Sequence, residues 1–138
     1  MAGRSDTHLT VQPVIDLADH DRTDSYEIPD RIKLRVDGRD RTCAFPWCNR
    51  PARICDHDHS VPFTRGGATC DCNIVSLCRH HHRLKTHAAW TYTTVEPGVY
   101  LWRSPHGYRF LRNHEGTTDV TPPGHGDPGD GCHRERAP

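Results

Sequence analysis

Apolar positions are sparse along this chain and fall in short runs, which predict a few small elements. In "IKLRV" the anchors Ile32, Leu34 and Val36 follow Pro29, which suits a helix start, and precede Gly38, a plausible stop. Their strict alternation equally fits a short strand. "NIVSLC" (Asn73–Cys78) is β-branched and apolar and reads as a strand. A shorter strand is expected before Pro62 and the turn at Arg65–Gly67. "RHHHRLKTHAAW" (Arg79–Trp90) has no Gly or Pro and reads as a helix. "WTYTTVEPGVYLWRSPHGYRFL" alternates aromatic and β-branched residues between the breaks "EPG" and "SPHG", which predicts a three-stranded meander over 90–112. Trp47, Trp90, Tyr92, Tyr100 and Trp102 are the expected aromatic core. The polar stretch 1–25, with one apolar run at Val11–Leu17 broken by Pro13, and the Gly/Pro-rich stretch 113–138 are expected to be flexible, acidic tails.

With 138 residues, of which 33% are hydrophobic, the chain suits one small domain whose core needs a staple. Its 7 Cys and 12 His supply candidates. No apolar run spans a bilayer, and "MAGRSDTHLTVQPV" lacks the apolar stretch of a signal peptide. A cytoplasmic, reducing location is therefore expected, and there Cys clusters read as metal ligands before disulfides.

Cys43 and Cys48 form one close pair, Cys78 and His81 another. Two such pairs, each presented by one tight turn and separated by a loop, match a tetrahedral structural Zn²⁺ site. Cys70 and Cys72 are the second choice as ligands. Cys55 is expected to pack as a small hydrophobe, and Cys132 to have no structural role.

The formal net charge of +0 conceals a pattern. Residues 1–30 carry 2 basic and 7 acidic side chains, residues 31–112 carry 14 and 6, and residues 113–138 carry 2 and 5. A basic middle between acidic flanks favours a polyanionic partner such as nucleic acid.

"CDHDHSVPF" (Cys55–Phe63) brings carboxylates and imidazoles together. Adjacent helical residues point about 100° apart, so His81 and His82 serve different sites. With His81 on the zinc, His82 faces the hairpin that carries Asp58 and His59. One carboxylate and one imidazole, with open positions for water or phosphate oxygen, suit a single catalytic divalent cation, and a nearby unliganded imidazole can take a proton from water. Adjacent strand residues face opposite sides, so Asp58 and His59 share a site only where the strand ends or distorts; Asp56 is the alternative ligand. His57 and His80 are expected to face solvent or the zinc rim, and the six remaining histidines outside the helix receive no role.

"DHDHSVPFTRGG…CNIVSLCRHHHRLKTH" resembles the HNH endonuclease motif, the ββα-metal (His-Me) finger. Residues 13–123 more widely resemble an actinobacterial branch that carries this module at the C-terminus of longer proteins. The long N-terminal domain of that branch has no counterpart here, so a truncated or stand-alone copy is expected. The resemblance implies an α+β fold: a zinc-stapled ββα core at 43–88 with an appended β-meander, together an HNH nuclease domain over 26–112. It implies a nuclease that hydrolyses double-stranded DNA, with His59 as general base, Asn73 holding the loop between the strands, and Asp58 and His82 as ligands to Mg²⁺, Mn²⁺, Ni²⁺ or Zn²⁺. The family often places a further His four residues after the last motif His; here that position is Thr86, and His87, one later, is a third ligand only if the helix loosens. Arg65, Arg79, Arg83 and Lys85 are candidate phosphate contacts. The alternative is a zinc-stapled nucleic-acid-binding module without catalysis.

Overall fold

The computed structural model describes residues 20–125; the expected tail segments 1–19 and 126–138, with the Val11–Leu17 run and Cys132, lie outside the described residues. The fold is mixed α and β. In chain order the elements are β1 (Arg22–Thr23), α1 (Asp30–Asp40), β2 (Asp56–His59), β3 (Thr69–Cys70), β4 (Ile74–Leu77), α2 (Arg79–His87), β5 (Thr91–Glu96), β6 (Val99–Arg103), β7 (Arg109–Asn113) and β8 (Gly116–Asp119), with short 3₁₀ turns at Ala52–Ile54 and Phe63–Arg65. The strands form an antiparallel β1–β3 pair, an antiparallel β2–β4 pair, and the sheet β5-β6-β7-β8. No helix of the described residues is long and apolar enough to cross a membrane.

β4 organises the molecule because all four of its residues are buried. Successive strand side chains face opposite ways. Ile74 packs against Ile32 and Val36 of α1, while Val75 and Leu77 join Phe45, Tyr100 and Trp102 in the main core. Ser76, on the α1 side, donates its N–H to Asp40 Oδ2 at 3.0 Å and its hydroxyl to Asp37 Oδ1 at 3.4 Å. Trp102 is fully buried, and its indole N–H donates to the Ala44 carbonyl at 2.8 Å.

α1 forms, and the strand alternative for 32–36 does not occur. Ile32 and Val36, four residues apart, share the buried face, and Leu34 is 41% exposed, as helical geometry requires. The helix runs through Gly38 and stops at Arg41, whose φ is 62°. Tertiary contacts carry it past the glycine: the Arg39 guanidinium donates to the Ile74 carbonyl at 2.7 Å and to Tyr100 Oη at 2.9 Å, and Tyr100 Oη donates to Asp40 at 2.6 Å.

α2 ends at His87, short of the expected Trp90, because Trp90 turns back to meet Phe45 at 4.8 Å. The meander has a fourth strand. β8 pairs with β7 inside the stretch expected to be a flexible tail; "GTTD" is polar throughout and carries no strand pattern. Trp47 is not in the core: it is 62% exposed, and its ring meets Phe110 edge-on at 4.9 Å.

Candidate metal centre and acidic cleft

Cys43, Cys48, Cys78 and His81 converge so that one ligand atom from each lies within 4.8 Å of all the others, and together they could hold a metal such as zinc. Cys78 sits at the junction of β4 and α2, as the residue that precedes the helix, so His81 follows one turn later on the same side. Its Sγ lies 3.2 Å from His81 Nδ1, and Cys43 Sγ lies 3.5 Å from the same nitrogen. Cys48 is delivered by a turn in which its N–H donates to the Phe45 carbonyl at 3.1 Å. The Phe45 ring stacks on His81 with centroids 3.9 Å apart and planes 7° apart. Burial, then the positive charges of His80 and Arg50, push the His81 pKa down to about 4, so the ring is a neutral ligand at pH 7. Cys55 packs against this cluster and donates its thiol to the Pro51 carbonyl at 3.3 Å; burial pushes its pKa up to about 11.

The second constellation lies between β2 and α2. Asp56 and Asp58 share one face of β2, and both reach His82. Asp56 Oδ2 is 3.0 Å from His82 Nδ1, and Asp58 Oδ1 is 3.4 Å from His82 Nε2. A carboxylate only accepts, so Nδ1 donates to Asp56, and in the Nδ1–H tautomer Nε2 is the nitrogen able to ligate a cation. The other oxygen of Asp58 is already engaged: Lys85 Nζ donates to Oδ2 at 2.5 Å and Tyr92 Oη at 2.7 Å. That leaves Oδ1 of Asp58 beside Nε2 of His82. Their 3.4 Å separation is that of two ligands sharing one cation at about 2.1 Å each. The donor set, one carboxylate oxygen and one imidazole nitrogen, suits a hard or borderline divalent cation.

His59 is the last residue of β2 and faces the other way. Its Nε2 is 2.9 Å from Thr69 Oγ1, and Tyr26 stacks on the ring with centroids 5.7 Å apart. It nevertheless lines the same cleft as Asp56 and His82, a cavity of about 880 Å³ that also borders Tyr26 and Arg79. Burial lowers its pKa below the ordinary imidazole value, with Lys85 adding to the effect and Asp58 opposing it. Asn73 is buried and braces the segment after His59: its side-chain amide donates to the carbonyls of Val61 (3.0 Å) and Ala68 (2.9 Å), and its Oδ1 accepts from the Val61 N–H at 2.8 Å.

The remaining site residues divide. Arg65 and Arg83 are exposed, and Arg79 is 73% exposed while bridging to Asp56 at 3.1 Å. Lys85 turns inward to Asp58 and to the His59 carbonyl. His87 is exposed at the end of α2, which stays regularly wound there, since the Ala88 N–H donates to the Leu84 carbonyl at 2.9 Å; the loosened turn that would swing His87 toward His82 is absent. His57 is no solvent-facing bystander: its Nε2 meets Asp37 Oδ1 at 2.7 Å and ties β2 to α1. Tyr26 and Thr69 carry no signal in the sequence, and Tyr92, expected in the core and packed against it, also reaches the site through its hydroxyl. Each is an ordinary loop or strand residue by sequence, and only the fold brings it to Asp58 or His59.

Comparison with known proteins yields partial matches. The chain is similar to the uncharacterized protein Rv3776 of Mycobacterium tuberculosis, with 37% identity over 95 residues that cover 62% of this chain and 18% of that protein. It is also similar to the uncharacterized protein Rv2100 of the same organism, with 39% identity over 88 residues that cover 63% and 16%. The match spans less than a fifth of the length of either relative. No protein-family model and no solved structure matches the chain.

Proposed function

We propose that this chain is a zinc-stapled HNH-type endonuclease, a ββα-metal finger that hydrolyses DNA phosphodiester bonds. The observation that carries the reading is the approach of buried Asp58 Oδ1 to His82 Nε2 at 3.4 Å, with His82 and His59 lining one cleft. The antiparallel β2–β4 pair followed directly by α2 supports it, as does the basic balance of residues 31–112. Zn²⁺ at Cys43, Cys48, Cys78 and His81 clamps the start of α2 to the loop after α1, which holds the cleft in shape.

Asp58 and His82 would hold a divalent cation, which supplies charge stabilisation to a phosphorane and to the leaving 3′ oxygen. The other roles belong to the chain. His59, neutral at pH 7, accepts a proton from the attacking water. Thr69 and Tyr26 keep its ring in place. Asn73 sets the backbone that follows it. Asp56 orients His82 through Nδ1, the arrangement in which an outer carboxylate raises ligand basicity. Arg79 and Arg83, on the exposed side of α2, meet the phosphate backbone.

One observation favours the non-catalytic binding module instead: Lys85 already supplies Asp58 with a positive charge. Incubating supercoiled plasmid with the chain and Mg²⁺, Mn²⁺, Ni²⁺ or Zn²⁺, beside His59→Ala, separates the two. Nicking by the native chain that His59→Ala abolishes is the expected result. Salt-dependent binding without nicking in any metal supports the binding module, and nicking that is unchanged in His59→Ala rules out the assigned base.

A further inference from the structure

β3 ends at Cys70, and the chain turns through Asp71 and Cys72 into Asn73. Cys70 and Cys72 are joined by a disulfide, and a ring nitrogen of His20 lies with both sulfurs inside a 4.8 Å group. The turn is held by contacts that do not depend on the sulfur bond. The Asp71 N–H donates to the Asp21 carbonyl at 3.1 Å, its carboxylate receives Arg35 Nε at 2.9 Å, and its carbonyl receives Arg39 Nη1 at 2.5 Å. The Asn73 N–H closes the turn on the Cys70 carbonyl at 2.9 Å. His20 is kept alongside by Asp71, whose Oδ1 lies 3.0 Å from its Nδ1. Cys70 is buried, whereas Cys72 is exposed and the His20 side chain is 57% exposed, so the bond can be reached from solvent.

We propose that Cys70, Cys72 and His20 form a second metal site, which takes a soft or borderline cation such as Zn²⁺ once the disulfide is reduced. Two thiolates and an imidazole select zinc over magnesium or calcium. Three protein ligands leave one position to solvent, so this site is weaker than the four-ligand cluster and fills after it. The chemistry balances with a dithiol as reductant. It delivers two electrons and two protons to the S–S bond and becomes a disulfide itself; the two new thiols release two protons when the cation binds. Thiol–disulfide exchange with a low-molecular-weight disulfide, which takes up the two electrons and leaves as two thiols, re-forms the bond and expels the cation. The site adjoins Thr69 and Asn73, the residues that hold His59 and the segment after it, but the proposal does not depend on nuclease activity.

The test is Co²⁺ titration of the full chain, prepared with one equivalent of Co²⁺ in the four-ligand cluster so that the fold is retained, and either oxidised or reduced with a dithiol that is then removed under argon. The readout is thiolate-to-cobalt charge-transfer absorbance, which is silent for a site made of Asp58 and His82. The oxidised chain should show one sulfur-bound equivalent and the reduced chain a second, weaker one. Cys72→Ser, at an exposed position, should remove only the second step; His20→Ala should weaken it by at least about tenfold. A single step in the reduced native chain, or a second step that survives Cys72→Ser, overturns the proposal. Circular dichroism of both variants checks that the fold is retained.

Discussion

Asp56 Oδ2 holds His82 Nδ1 at 3.0 Å, and that bond turns the opposite nitrogen of the ring toward Asp58. Asp56 is thus placed behind His82, where, under the proposed function, it would act on the ligand and not on the cation. Asp56→Ala should weaken divalent-cation binding at the cleft by about 10- to 100-fold while the zinc cluster stays loaded. Calorimetric titration with Mn²⁺ measures this; unchanged affinity would show that the ring needs no carboxylate to orient it.

Asn73 makes three hydrogen bonds from a buried position. Asn73→Ala leaves the Val61 N–H and two carbonyls short of their partners, and should cost about 2–3 kcal/mol of stability. Urea unfolding of the variant reads the loss directly. A cost below about 0.5 kcal/mol would mean that water replaces the amide.

Gly66 and Gly67 should respond differently to alanine. A Cβ on Gly67 would stand 1.8 Å from the Val61 carbonyl oxygen, so Gly67→Ala must move the backbone beside His59. A Cβ on Gly66 meets nothing within 4 Å, and only its φ of 86° opposes the change. Gly66→Ala should therefore cost about 1–2 kcal/mol, and Gly67→Ala more. Comparing their thermal midpoints checks the order.

The pH dependence follows from two imidazoles whose pKa values are depressed. His81 binds its proton near 6.5 when unfolded but only near about 4 when folded. The unfolded chain therefore holds more protons across that window. Stability is fully present above the unfolded value and falls as pH drops through it toward the folded one. His59 contributes in the same direction. The urea midpoint should be lower at pH 5 than at pH 7, and the acidic limb of the nicking rate should lie below the usual imidazole value. A midpoint that rises on acidification contradicts the sign.

If the four-ligand cluster holds zinc as proposed, its removal should undo more than the cluster. Cys43 and Cys78 belong to the main core, beside Leu77 and Trp102. A strong chelator, or Cys78→Ser, should therefore reduce secondary structure and release the buried tryptophan to solvent. Far-ultraviolet dichroism and tryptophan fluorescence report both; an intact spectrum in the metal-free chain would assign the fold to packing alone.

By itself the sequence determined the local pieces. The spacing of Cys43, Cys48, Cys78 and His81 announced a four-ligand group, since two tight turns present ligands whatever surrounds them. The apolar run 74–77 announced a buried strand, and the Gly-free stretch from Arg79 a helix. The period-2 rule also put Asp58 and His59 on opposite sides of an undistorted strand, and β2 carries them so. Tertiary structure alone decided what each face meets. His57 became a tie to Asp37, Lys85 turned in to Asp58, and Tyr26, Thr69 and Tyr92 arrived from distant segments. Nor could composition reveal β8, a polar strand that forms because β7 offers it an unpaired edge. The physical reason is the same throughout. Residue type and spacing set which way a side chain points along its own element, but its partner depends on which elements the shared core brings together.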